Sequence, residues 1–92
     1  MAHTIAVYPG AVLLDELEER GITQSALAIH IGVLPKTVNE ICRGKRGISA
    51  EMAAKLAIAL GASPEFWLSL QKNWELSQVP RSATKGIRPL AA

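Results

Sequence analysis

The sequence predicts an all-α fold of five helices, and three observations carry that reading. Glycines fall at near-regular distances, Gly10, Gly21, Gly32, Gly44 and Gly61. Between them apolar residues recur at helical spacing and never in strict alternation. Ser, Thr or Pro stands where each helix after the first would begin. Glycine just past a helix end adopts the left-handed conformation without a steric penalty.

The first helix spans Pro9 to Arg20, with Leu13, Leu14 and Leu17 facing inward and Pro9 at its start. The second follows the cap Thr23 and runs to Ile31, burying Leu27, Ala28 and Ile31. The third runs from Pro35 to Arg43. The fourth follows the cap Ser49, with Glu51 in its first turn, and buries Met52, Ala53, Leu56, Ala57 and Leu60. The fifth has Ser63 as cap, Pro64 at its first position and Glu65 next, and continues to about Gln78. Pro80 ends regular structure. Residues 1–78 are thus expected to form one domain, and 79–92 a mobile C-terminal tail.

A chain of 92 residues with 49% apolar content is globular but small, so a second copy is a natural source of stability. No apolar run approaches the ~20 residues of a bilayer span. Residues 1–7 lack the features of a signal peptide, and a cytoplasmic location is expected. The single Cys42 excludes an intrachain disulfide and serves as a small residue at the core edge. His3 and His30 are far apart, His30 is expected on a solvent-facing surface, and no metal or other cofactor is expected. No nucleophile elbow, Gly-rich phosphate loop or His–carboxylate pairing is present, so an enzyme is not expected.

Net charge is only +2, but it is unevenly placed. The first helix carries Asp15, Glu16, Glu18 and Glu19 against Arg20. Residues 36–46 carry Lys36, Arg43, Lys45 and Arg46 against Glu40, and the tail carries Arg81, Lys85 and Arg88 with no acid. The mid-chain basic segment suits phosphate.

Helices two and three are short, and the Gly32-Val33-Leu34 turn between them is what a helix-turn-helix needs (about residues 23–43). On a wheel of about 100° per residue, Val38, Ile41 and Cys42 fall to one side of helix three. Lys36, Asn39, Glu40 and Arg43 fall to the other. Lys and Asn suit guanine and adenine edges; Glu40 can accept from a cytosine amine and repels phosphate. Thr37 flanks this stripe, and Pro35 offers apolar contact at the helix tip. Gln24 opens helix two, where phosphate is favoured. Lys45 and Arg46 lie in a loop that can meet the nucleic-acid backbone. If Lys36, Arg43, Lys45 and Arg46 each neutralise a phosphate, a dimer makes about eight contacts, and log affinity falls with log salt at a slope near −7.

In helix five, Phe66, Trp67, Leu70 and Trp74 fall within about a third of the wheel, while Leu68 and Leu76 lie off it. So much apolar area suggests that part of this helix, about 64–78, forms a homodimer contact through Phe66, Trp67, Leu68, Leu70 and Trp74.

The runs Thr23-Gln24-Ser25-Ala26-Leu27-Ala28, Ile31-Gly32-Val33 and Val38-Asn39-Glu40-Ile41 resemble the Xre/Cro-type (lambda-repressor-like) helix-turn-helix repressors. The resemblance narrows with Tyr8-Pro9-Gly10, Leu13 and Leu14, with Gly44-Lys45-Arg46-Gly47-Ile48-Ser49, and with Ser63-Pro64-Glu65-Phe66-Trp67-Leu68-Ser69-Leu70-Gln71. These stretches, roughly residues 8–76, look like the HigA antitoxins of type II toxin–antitoxin systems. The last two are the specific ones.

That resemblance implies a homodimer on a palindromic operator upstream of its own operon. It also implies a HigB-type toxin partner, a ribosome-dependent messenger-RNA interferase. It implies DNA contacts near Gln24, Pro35, Lys36, Thr37, Asn39, Glu40 and Arg43. Leu34 departs from the family, which often has a capping hydroxyl there. A free-standing repressor without a toxin, and a module that only binds protein, are the alternative readings.

Overall fold

The computed structural model describes residues 6–91; His3 lies outside them. It has five α-helices: α1 (Pro9–Arg20), α2 (Gln24–Ile31), α3 (Pro35–Cys42), α4 (Ala50–Leu60) and α5 (Pro64–Ser77). There is no strand among the described residues. The helices begin where the sequence provides a cap. The hydroxyls of Thr23, Ser49 and Ser63 accept from the backbone N–H of Ala26, Met52 and Phe66 at 3.0, 3.2 and 3.1 Å. Each such cap contributes about 1 kcal/mol. The start of α3 differs: Leu34 is extended and offers no side-chain cap, and Pro35 supplies the fixed φ of the first turn.

The turn between α2 and α3 is set by Gly32, at φ 74°. In that conformation the N–H of Val33 reaches back to the carbonyl of Ala28 at 2.9 Å and closes the end of α2. Three residues then suffice to start α3 in a new direction.

The core draws on every helix. Leu13 and Leu17 of α1, Leu27 and Ala28 of α2, Val38, Ile41 and Cys42 of α3, Met52, Ala53, Leu56 and Leu60 of α4, and Trp67 of α5 form one buried cluster with Ile48. α3 packs against both α1 and α2, α4 bridges α2 and α5, and α5 returns to α1. Gly10 permits the close approach of α1 to α3, because a Cβ there would overlap the carbonyl oxygen of Ile41. Across the bottom of α4, the Arg20 guanidinium donates to the carbonyl of Leu60 at 2.7 Å and satisfies an end of that helix.

Several expectations are refined. α3 ends at Cys42 and α5 at Ser77, one residue earlier than the sequence suggests. Leu14, Ile31 and Ala57 are half-buried because they lie at the edges of their apolar stripes. Beyond α5 the chain is not featureless: Arg81–Ala83 form a 3-10 turn. Every residue from Glu75 to Ala91 is exposed. The radius of gyration, 16.1 Å, exceeds the ~12 Å of a compact chain this long because that segment projects from the body. No helix among the described residues is long and apolar enough to cross a membrane.

Candidate nucleic-acid interface

The two sides of α3 divide as its periodicity requires. Val38, Ile41 and Cys42 are buried, while Pro35, Lys36 and Asn39 are exposed and Thr37 and Glu40 half-buried. Burial pushes the Cys42 thiol pKa up, which keeps it protonated and unreactive as part of the core. His30 is exposed, as expected.

Two hydrogen-bonded pairs organise the polar face. The Asn39 Nδ2 donates to Gln24 Oε1 at 3.1 Å, so the first residue of α2 and the middle of α3 present one polar surface. Glu40 Oε1 accepts from Arg46 Nε at 3.0 Å and lies 2.9 Å from the second guanidinium nitrogen. This second pair revises the electrostatics read from sequence. Arg46 is not a free cation, and Glu40 does not stand as an unpaired acid against phosphate. Lys36, Arg43 and Lys45 remain exposed and outside any ion pair among the described residues. Counting those three per protomer lowers the expected salt slope of a dimer from near −7 to about −5.

The basic loop is held from behind. Gly44, at φ 75°, lets the Lys45 N–H bond the carbonyl of Glu40 at 2.8 Å and turns the chain out of α3. The Tyr8 hydroxyl donates to the carbonyl of Cys42 at 3.3 Å, and its ring meets Trp74 edge-on with centroids 5.9 Å apart. Gln71 Oε1 accepts the Ile48 N–H at 2.8 Å, and its amide nitrogen donates to Glu75 at 3.1 Å. Gly47 makes room for that amide, since a Cβ would lie 2.8 Å from Gln71 Nε2. Tyr8, Gln71 and Trp74 were not identifiable as loop supports from the sequence. Gly47 is the point of close approach, and because its backbone is not left-handed, space and not conformation is what calls for glycine there.

Helix α5 distributes its apolar residues differently from expectation. Trp67 is 1% exposed and belongs to the core, so it is unavailable to a second copy. Its ring packs edge-on against Phe66, centroids 5.2 Å apart. Leu70 packs on the core and Trp74 on Tyr8, each half-buried. Phe66 is 43% and Leu68 36% exposed, on opposite sides of the helix; Leu68 lines a shallow crevice with Ile48, Gln71 and Lys72. Leu76, 64% exposed, lines a second groove with Leu70, Val7 and Val12.

The model of the helix-turn-helix family HTH_3 matches residues 13–67, which enclose the α2–turn–α3 unit and its supports. The chain belongs to this family. Within it, the helix-turn-helix protein is similar to antitoxin HigA-1 of Vibrio cholerae, with 40% identity over 80 residues that cover 84% of this chain and 75% of the relative. Two solved structures share its fold. One is the Pseudomonas aeruginosa antitoxin HigA with the higBA promoter, at TM-score 0.85 and 38% identity, covering 95% of this chain and all of that one. The other is the antitoxin GraA in complex with its operator, at TM-score 0.85 and 36% identity, covering 100% and 98%. The resemblance to HigA antitoxins read from the sequence is therefore upheld.

Proposed function

We propose that this helix-turn-helix protein is a HigA-type antitoxin that binds operator DNA upstream of its own operon and represses it. In this reading it acts in the cytoplasm as a binding protein rather than an enzyme, and it neutralises a HigB-type toxin by binding it. The observation that carries the reading is the outward stripe Lys36–Asn39–Glu40 on α3, fixed to Gln24 and bordered by the braced basic loop. Lys36 and Asn39 read base edges, Glu40 accepts from a cytosine amine, and Pro35 and Thr37 touch the groove wall. Gln24, Arg43 and Lys45 meet phosphates, the Lys36 ammonium also neutralises the backbone beside the bases it reads, and Arg46 buttresses Glu40. Similarity to antitoxins solved with a promoter and with an operator supports the DNA partner.

Residues 1–78 act as one unit in this reading. One eight-residue helix spans only a few base pairs. A homodimer with two-fold symmetry would present two such helices about 34 Å apart, matching a palindrome. The contact lies on α5 through Phe66, Leu70, the outer edge of Trp74, and Leu76. The Trp67 core position and the opposite-facing Leu68 fall outside it.

The test is binding of the purified protein to the duplex immediately upstream of its gene, against a scrambled duplex. Binding that is tight to the first and weak to the second supports the reading. Equal weak binding to both leaves only the protein-binding alternative. Co-expression with the neighbouring small reading frame then separates an antitoxin, which restores growth, from a repressor without a toxin.

A further inference from the structure

We infer that residues 79–91 form a basic arm that lies along the DNA backbone beside the half-site contacted by α3; this rests on the DNA-binding reading above. Arg81, Lys85 and Arg88 are the only charged residues after Glu75. All three are exposed, and none is in an ion pair among the described residues. The segment covers nothing of the protein's own core, since every residue from Glu75 to Ala91 is exposed. Pro80 and Pro89, with Gly86 at φ 85°, keep it from continuing α5 as a helix. Three uncompensated cations on a segment without fixed packing suit a uniform polyanion better than a shaped pocket.

The placement of α5 aims the arm. Trp74 lines one crevice together with Lys45 and Arg46. Gln78, the residue that follows α5, lies one turn further on, about 6 Å along the axis. The arm therefore starts about one helical turn beyond the crevice that Trp74 shares with the basic loop. Drawn out fully, the chain from Arg81 to Arg88 would reach at most about 25 Å, or roughly seven base-pair steps, and the 3-10 turn at Arg81–Ala83 would have to open for it to do so. That is enough to place its cations on successive phosphates next to the half-site.

The experiment compares three proteins on the upstream duplex by fluorescence anisotropy over a range of salt. They are the full chain, a chain ending at Gln78, and the variant Arg81→Gln/Lys85→Gln/Arg88→Gln. Sedimentation confirms that all three have the same oligomeric state, and circular dichroism that the helices are unchanged. With the arm engaged the full-chain dimer makes about twelve contacts and has a slope near −11, and both variants return to about −5 while their preference for the upstream sequence is kept. Selective binding with the same slope in all three proteins overturns the arm and leaves the DNA-binding reading standing. So does a uniform loss of affinity accompanied by a loss of self-association. Failure of the full chain to bind any duplex overturns both.

Discussion

Asn39 and Gln24 are joined by a 3.1 Å hydrogen bond that links the middle of α3 to the first residue of α2. The bond holds the Asn39 amide in one orientation before any base is met, so less side-chain freedom is lost on binding. Asn39→Ala is expected to cost about 1–3 kcal/mol of specific binding and to relax preference at one base pair. Gln24→Ala should cost less. The two should be non-additive by about 0.5 kcal/mol or more in a double-mutant cycle on the upstream duplex, because each acts partly through the other.

Glu40 and Arg46 neutralise each other across the loop. Glu40→Gln removes the acid and releases the guanidinium to phosphate. Affinity for specific and scrambled duplexes alike should rise, and the salt slope should steepen by about 1 per protomer. Anisotropy at several salt concentrations checks both. An unchanged slope would mean that Arg46 never reaches the backbone.

Gly10 sits where α1 crosses the end of α3, with the Ile41 carbonyl occupying the space a Cβ would need. Gly10→Ala should destabilise the fold by about 1–3 kcal/mol, read as a lower urea midpoint. Gly47→Ala meets only the end of the Gln71 side chain, which can turn away. It should cost less stability but free the basic loop, and so lower DNA affinity more than its stability change accounts for.

The two neighbouring aromatics of α5 should separate cleanly. Trp67→Ala empties the centre of the core and should cost about 3–5 kcal/mol. Phe66→Ser should leave the thermal midpoint within a few degrees and weaken self-association, seen by sedimentation at low concentration. A monomer that forms with Trp67→Phe but not with Phe66→Ser would place the dimer contact elsewhere.

The thiol of Cys42 should leave a pH signature. Its native pKa is raised by burial, whereas in the unfolded chain it ionises near about 8.5. Above that pH the unfolded state releases a proton that the native state keeps, so stability falls as pH rises. Urea midpoints from neutral to alkaline pH should drop more for the wild type than for Cys42→Ala.

Much of this was legible in the sequence because local signals agreed with one another. Thr23, Ser49 and Ser63 cap the helices they precede, and Gly32 closes α2 where the apolar pattern stops. The outward stripe of α3 followed from periodicity alone. What escaped was contact between residues distant in sequence. The Glu40–Arg46 pair spans a turn whose path depends on Gly44, and Gln71 meets Ile48 only after α5 folds back. Trp67 and Phe66 are adjacent, and the wheel grouped them on one stripe. Only the packing of α5 on α4 and α1 decides that Trp67 points into the core and Phe66 out of it.

The most direct measurement is anisotropy of the Lys36→Ala/Asn39→Ala double variant on the upstream and scrambled duplexes, beside the wild type. If α3 reads the operator, the wild type discriminates between the duplexes. The variant then binds both weakly and alike while keeping its helicity. Discrimination that survives in the variant would contradict the assignment of α3 as the reading helix.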